Sequence, residues 1–165
     1  CLIKCGEKSK ATDIFRITSE SPFLYFQSVD SLWNVYKKEN LDAIFQDDII
    51  DGCGFEIISL KSLKKSHLKG LEKHRSELCT LYIRENQTKF RIKKVSSKSN
   101  LIRKDLRLTV DNPEDLIVCR KLYKKFDYQA PKFIIEDLIE YLDKEPDLKK
   151  LIYPFTINGY KNMYL

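Results

Sequence analysis

Short β-rich segments alternate with amphipathic helical segments along most of the 165 residues, and this alternation limits the folds that the chain can adopt. Strands are predicted at TDIFRI, LDAIF, FEIISL, TKFRIKKV and DLRLTV. Apolar residues recur at helical spacing at residues 28–40, from Lys61, at 71–81, from Asn112 to about Phe126 and from Lys132 to Leu142. Strands that alternate with helices predict an α/β domain with a mostly parallel sheet.

The two ends of the chain and one helix face carry further predictions. CLIKCGEKSKA is typical of the last turns of a helix, and YPFTINGYKNMYL, which has no clear period, is expected to be a docked or partly ordered tail. The helix that begins at Asn112 is predicted to bury one face, made of Leu116, Cys119, Tyr123 and Phe126. Because the sequence begins at Cys1 rather than Met and in mid-pattern, we expect a fragment or a processed product.

Composition argues against several classes of protein. The chain has 30 Lys and Arg against 24 Asp and Glu, but the basic residues form short scattered runs such as SLKSLKKSHLKG, without a nucleic-acid-binding motif. These runs favour a solvated basic face over a nucleic-acid interface. No apolar run approaches the roughly 20 residues of a membrane-spanning helix, so no membrane partner is expected. The five cysteines form no CxxC pair, which argues against a disulfide framework or zinc site and indicates a cytoplasmic protein.

Two polar loops are predicted at the carboxyl ends of strands, where ligands bind in sheets of this kind. TSESP follows the first strand and contains Glu20, and VDNPED follows the last strand and contains Asp111. Residues 111–115 form a helix-start signature, in which Asn112 can cap the helix without Asp111. Asp111 therefore has two interpretations: it belongs to that helix start, or it is a ligand of Mg²⁺, which is often held by one or two carboxylates and substrate phosphates.

Glu56 lies inside the apolar strand FEIISL, where an unpaired buried carboxylate would be costly. Three roles are open to it: facing solvent, pairing with a cation, and binding a polar substrate. Arg16, at the end of the first strand, suits either a structural ion pair or a phosphate contact. The segment before Glu56 has the acids and glycines of a solvated turn, namely Asp47, Asp48, Asp51, Gly52 and Gly54.

Four stretches follow one another in an order that resembles a known family. FRITSESPF is similar to R-x-T-x-D-x-P, DGCGFEIISLKSL to D-G-x-D-V-E-V-F-S, ELCTLYIRENQTKFRI to E-H-V-T-P-Y-I with a turn and strand, and LRLTVDNPEDL to R-x-T-V-D-x-P-E-D. These motifs resemble the cytidylyltransferases of surface-polysaccharide synthesis, in particular the spore coat polysaccharide biosynthesis protein F group. The likeness covers residues 1–145, interpreted as the C-terminal part of a cytidylyltransferase-like domain, with 146–165 as a C-terminal tail.

This resemblance implies a Rossmann-like nucleotide-diphospho-sugar transferase fold and a nucleotidyltransferase reaction. CTP and a sugar acid would react with Mg²⁺ as cofactor to form a CMP-activated sugar, with catalysis by positioning and charge neutralisation. A homodimer is compatible with the resemblance. Carried over by position, Glu20 and Asp111 hold the metal, Arg16 supports the first acid loop as a catalytic residue with them, and Asp51, Gly52 and Glu56 line the sugar side.

The sequence also departs from the family pattern. The family has Asp, Asp and His where this chain has Glu20, Gly54 and Leu78. The family's first strand and its R-x-G-S-x-R-x-P-G-K nucleotide loop have no counterpart, so we expect the chain alone to be inactive. Two alternatives stay open: a degenerate homologue that only binds a nucleotide sugar or a protein partner, and a binder of phosphate-rich polymers, whose association would depend strongly on salt.

Overall fold

Four strands form one mixed sheet in the computed structural model, which describes residues 2–76 and 78–162, with side chains up to residue 157. They are β1 (Asp13–Arg16), β2 (Ala43–Asp48), β3 (Glu56–Ser59) and β4 (Ile92–Ser96), in the spatial order β1-β3-β2-β4. The pairings β1–β3 and β2–β3 are antiparallel, and β2–β4 is parallel. The predicted α/β class is confirmed.

The prediction of a mostly parallel sheet is wrong. Only the short segment 49–55 joins β2 to β3, and a connection of this length allows an antiparallel neighbour, whereas parallel neighbours need a crossover of roughly a dozen residues or more. The short connection between β2 and β3 therefore explains why these two strands are antiparallel. As a consequence β3 begins at the edge of the sheet where β1 and β2 end.

In the described part of the chain, helices cover both faces of the sheet and form a separate bundle beside it. They are α1 (Leu2–Lys8), α2 (Val29–Lys38), α3 (Leu60–Lys69), α4 (Leu81–Glu85), α5 (Pro113–Lys125), α6 (Ile135–Lys144) and α7 (Pro146–Asn162). Leu32 and Tyr36 of α2 pack with Ile44 on one face of the sheet. Leu63 of α3 and Ile83 of α4 pack on the other face.

The third hydrophobic core joins α5, α6 and α7. Leu122, Leu138 and Ile152, one from each of these helices, are fully buried in it. The segments 49–50 and 106–108 supply further buried side chains to the same core. Because segment 49–50 directly follows β2, the helical bundle is packed next to the carboxyl end of that strand.

Two of the predicted elements are wrong. The segment DLRLTV forms no strand of the sheet, since the N–H groups of Leu108 and Val110 donate to Asp51 O and Glu20 O in loops. It makes one isolated bridge, between Asp51 and Arg107. The helix predicted at 71–81 is reduced to the 3₁₀ turn Glu72–His74, and the next helix begins only at Leu81; Glu77 lies outside the described residues.

The predicted apolar face of the helix that begins at Asn112 is confirmed at Cys119 and Phe126 and wrong at Leu116 and Tyr123. Leu116 is 38% exposed and Tyr123 is 52% exposed, whereas Val118 and Leu122 are buried together with Cys119. The predicted tail contains helix α7, which packs against α5 and α6 through Leu148, Ile152 and Thr156. Residues 163–165 of that tail lie outside the described part. No helix in the described ranges is long and apolar enough to cross a membrane.

Candidate functional site

A cavity of about 560 Å³ opens where β1 and β2 end and β3 begins. Its walls include every site residue predicted from the sequence, namely Arg16, Glu20, Asp51, Gly52, Glu56 and Asp111. These residues come from three separate stretches of the chain, 16–20, 51–56 and 111. The fold thus places all of them around one space, at the edge of the sheet where ligands were expected.

The two acids predicted to hold a metal lie on segments that are hydrogen-bonded to each other. The carbonyl oxygen of Glu20 accepts from Val110 N at 2.9 Å and from Thr109 Oγ1 at 3.5 Å. Glu20 is partly buried and Asp111 is 52% exposed at its side chain. The loop after β1 and the segment before α5 are therefore joined at the mouth of the cavity.

The start of helix α5 is stabilised by Asp115 rather than by Asp111. Asp115 Oδ2 accepts from the backbone N–H of Asp111 at 3.1 Å and from that of Asn112 at 3.0 Å. Asn112 is the N-cap and Pro113 the first helical residue, which confirms the predicted helix start. The Asp111 carboxylate instead accepts from Arg107 Nη2 and faces the cavity. The helix start is thus satisfied without the Asp111 side chain.

Arg107 is a cavity residue that the sequence reasoning did not single out. It is 4% exposed, and its guanidinium group contacts Asp111 Oδ2, Asp115 Oδ1 at 3.0 Å and Phe155 O at 2.9 Å. The contact with Asp115 is an ion pair without the alignment of a hydrogen bond. The signal was available, because Arg107 occupies the arginine of the R-x-T-V-D motif.

Asp51 and Gly52 pack against Leu108 and Thr109, which directly follow Arg107 in the chain. Asp51 O accepts from Leu108 N at 2.7 Å. Gly52 has φ of +90°, and a Cβ atom there would lie 2.6 Å from Leu108 C and Thr109 N, so only glycine fits. Burial raises the pKa of Asp51, and the charges of Asp111 and Asp115 raise it further, against the opposing effect of Arg107.

Glu56 is buried in an ion-pair network, which excludes the solvent-facing role and confirms the cation-pairing role. It is 4% exposed. Its Oε2 accepts from Arg16 Nη1 at 2.8 Å, and its Oε1 accepts from Thr80 Oγ1 at 2.7 Å and Arg84 Nη2 at 2.6 Å. Glu56 therefore pairs with cations, and Arg16 has the structural ion pair that was one of its two predicted roles.

Arg84 is the second cavity residue that the sequence reasoning missed. It is 6% exposed, its guanidinium donates to both oxygens of Asp47 as well as to Glu56, and its Cζ lies 3.7 Å from the centre of the Phe45 ring. Burial acts to lower the pKa of Arg84, but the Asp47 hydrogen bond and the Glu56 charge raise it overall. Its only sequence signal is an arginine beside apolar residues in LYIRE.

Gly54 and Leu78, which differ from the family pattern, also line the cavity. A Cβ atom at Gly54 would lie 2.3 Å from the carbonyl oxygen of Gln46. An aspartate could not replace Gly54 unless the backbone moved. The loop before β3 is therefore packed more closely than the family's acid at this position would permit.

The donor chemistry at the cavity mouth suits a hard divalent cation. Glu20 and Asp111 supply carboxylate oxygens, and Mg²⁺ commonly takes one or two carboxylates and completes its shell with phosphates and water. Within residues 2–76 and 78–162, no group of three or more His, Cys, Asp or Glu side chains is arranged to hold a metal. The two acids fit a site shared with a phosphate ligand better than a site built by the protein alone.

The fold is similar to that of a cytidylyltransferase. The chain superposes on the structure of a cytidylyltransferase from Leptospira borgpetersenii serovar Hardjo-bovis with a TM-score of 0.77 and 22% identity, over 89% of this chain and 62% of that one. The sequence is homologous to the spore coat polysaccharide biosynthesis protein SpsF of Bacillus subtilis, at 26% identity over 146 residues. The predicted resemblance is therefore confirmed.

A second similar protein comes from an archaeon. The uncharacterized protein MJ1063 of Methanocaldococcus jannaschii is 30% identical over 138 residues, which are 84% of this chain. The chain spans 56% of MJ1063 and 60% of SpsF, so it matches little more than half the length of these relatives. No family model matches the sequence.

Proposed function

We propose that the chain forms the acid-bearing part of a cytidylyltransferase that activates a sugar acid with CTP for surface-polysaccharide synthesis. The homology to SpsF and the cytidylyltransferase fold support this class of reaction. The observation that carries the proposal is the convergence of all six predicted site residues on one cavity at the carboxyl edge of the sheet.

In the proposed reaction, the anomeric hydroxyl oxygen of the sugar attacks the α-phosphorus of CTP. The bond from that phosphorus to the oxygen bridging to the β-phosphate breaks, pyrophosphate leaves with the bonding electrons, and the hydroxyl proton passes to solvent. Mg²⁺ held by Glu20 and Asp111, when bound, would neutralise charge on the phosphates. The protein contributes mainly by holding both reactants in line.

The chain's own residues have distinct proposed roles in this reaction. Glu20 and Asp111 face the phosphate side, and Asp51, Gly52 and Glu56 the sugar side. Arg16 links the two sides, since it ends β1 just before the Glu20 loop and donates to Glu56. A buried, fully paired network keeps such side chains in fixed positions, which is what catalysis by positioning requires.

Pyrophosphate release from CTP tests this function. It is measured with Mg²⁺ and a panel of sugar acids, using the 165-residue chain and the product of the complete gene. We expect turnover with one sugar acid for the complete product, and a loss of at least about 100-fold in Asp111→Asn, because a misplaced phosphate loses both charge neutralisation and alignment. Asp147→Asn, at a side chain that is 91% exposed on α7, is the matched control and should keep full activity. No turnover with any sugar acid would contradict the proposal.

A degenerate, binding-only homologue is the second candidate, and the packing at Gly54 favours it. The aspartate that the family has at this position does not fit, because the backbone leaves no space for its side chain. The chain therefore lacks one acid on the sugar side of the cavity. This candidate predicts that CTP raises the Tm of the protein while pyrophosphate release stays at background. Turnover would exclude it.

A further inference from the structure

Arg107 occupies an unusual position, because it is buried between a cavity acid and a helix that lies outside the sequence motifs. Its side chain is 4% exposed, against 52% for Asp111. One edge of its guanidinium group contacts the Asp111 carboxylate, and another atom, Nη1, donates to the carbonyl oxygen of Phe155 in α7 at 2.9 Å. A single side chain thus connects the mouth of the cavity to α7.

Helix α7 is itself a wall of the cavity. Phe155 lines the cavity, and Ile152 and Thr156 of the same helix are buried with 0% and 1% exposure. Pro154 lies inside the helix and has no N–H group to donate within it. The position of α7 therefore affects both the shape of the cavity and the carbonyl group that Arg107 binds.

The shape of the guanidinium group explains why an arginine is present. Its Nη2 donates to Asp111 and its Nη1 to Phe155 O, while its Nε forms the ion pair with Asp115; the ammonium group of lysine is instead a compact point charge. A lysine could neutralise the two acids, but its single nitrogen could not contact Asp111, Asp115 and Phe155 O from three separate atoms. The geometry therefore indicates orientation of Asp111 as well as charge balance.

We propose that Arg107 is a positioning residue that holds the Asp111 carboxylate toward the cavity and couples it to the docking of α7. The proposal rests on the proposed function in one respect: the cation that Asp111 would bind. If Arg107 has this role, α7 is part of the binding site. By reciprocity, occupation of the Asp111 side should stabilise α7, and loosening α7 should weaken binding.

The experiment compares the whole chain with Arg107→Lys, Arg107→Met and the control Arg103→Lys. Arg103 also pairs with two aspartates, Asp105 and Asp143, but it does not line the cavity. The probe is Mn²⁺ alone, with its affinity measured by water-proton relaxation. Hydrogen exchange of the amides of residues 108–116 and 150–157 is measured with and without Mn²⁺.

We expect both Arg107 variants to bind Mn²⁺ about 10- to 100-fold more weakly, as for other residues that orient metal ligands. Mn²⁺ should slow exchange in α7 of the unsubstituted chain and of Arg103→Lys, but not in the Arg107 variants. If Arg107 only neutralised the acids, Arg107→Met should bind Mn²⁺ more tightly, because a repelling charge has gone. Binding that is equal or tighter in both variants, with α7 still protected by Mn²⁺, would overturn the proposal.

A failure of the proposed function can be distinguished from a failure of the Arg107 proposal. If the unsubstituted chain binds no Mn²⁺, the metal site of the proposed function is wrong. Amide hydrogen exchange measured without metal then tests whether Arg107 couples Asp111 to α7. Loss of protection in both 108–116 and 150–157 in Arg107→Lys, beyond that in Arg103→Lys at equal Tm, supports the coupling. Equal protection of these amides in Arg107→Lys and Arg103→Lys refutes the coupling.

Discussion

The Glu56 carboxylate is removed from water at the start of a central strand, and its neighbours determine what it can do. Arg16, Thr80 and Arg84 together direct three donors at its two oxygens. A carboxylate held in this way keeps its charge and its orientation, although a buried ion-pair network adds little net stability over an apolar core. The network is better explained by the need for a fixed polar wall than by stability.

Removing one partner of this network should be far more costly than removing the pair. Arg84→Met leaves Asp47 without its cation and Glu56 with Arg16 alone, and we expect the free energy of unfolding to fall by about 3–5 kcal/mol. In urea titrations, the double variant Arg84→Met with Glu56→Gln should recover part of this loss, since the two residues share a contact. Simple additivity of the two single variants would mean that they are not coupled.

The residues that the sequence predicted are those whose position in a motif implied chemistry, as for Glu20 and Asp111. The residues that it missed, Arg84 and Arg107, depend on partners far along the chain: Arg84 pairs with Asp47, and Arg107 with Phe155 O. In a single sequence, an arginine next to apolar residues is typical of an amphipathic surface. Only the tertiary structure shows that these two are buried.

At the scale of elements, hydrophobic period predicted the existence of most helices and strands but not their pairing. β3 was correctly predicted as a strand, but its antiparallel direction depends on the short connection from β2. Half of the predicted apolar face of the helix that begins at Asn112 was wrong, at Leu116 and Tyr123, because Asp115, a charged residue, is one of the most buried side chains of α5. A polar residue that is buried for its hydrogen bonds shifts the apparent apolar stripe.

A cluster of charges fastens the end of α6 to the start of α7. Arg103 and Lys149 both pair with Asp143, and both also pair with Asp105. Hydrogen bonds from Arg103 lower the pKa of Asp143 to about 2. Because the folded pKa lies below the ordinary value, this stabilisation is present above the ordinary aspartate pKa of about 3.9 and is lost as pH falls through the folded one.

We therefore expect Asp143→Asn to lower the free energy of unfolding at pH 7 by no more than about 1 kcal/mol, since the side chain is 42% exposed and solvent screens the pairs. The difference from the unsubstituted chain should shrink as pH falls from about 4 toward 2. Urea midpoints across this range provide the measurement. Glu140→Gln, in the exposed pair with Lys144, is the control and should leave the midpoint unchanged. A difference that stays constant with pH would show that Asp143 acts through packing.

At the scale of the whole molecule, the cavity lies between two packed units rather than inside one. The sheet has its own cores on both faces, and α5–α7 share a third core. Hydrogen bonds cross between the units: Val110 N donates to Glu20 O at 2.9 Å, and Gln27 Nε2, just before α2, donates to Phe133 O at 3.4 Å. The resemblance predicted the region of the site, but it could not predict that a C-terminal helix would form one wall.

These crossing contacts lead us to expect that the chain unfolds as one cooperative unit. Leu122→Ala empties a fully buried position in the α5–α7 core and should cost about 2–5 kcal/mol. Trp33, the single tryptophan, lies on α2, which packs on the sheet outside that core, and reports on the other unit. If the units are coupled, urea transitions of Trp33 fluorescence and of far-UV circular dichroism should shift together. Leu68→Ala, at a position 79% exposed on α3, should shift neither transition.

A Trp33 transition that stays in place while the circular dichroism transition moves would show that the sheet unfolds independently. The cavity wall formed by α7 could then open without loss of the strands that carry Arg16 and Glu56.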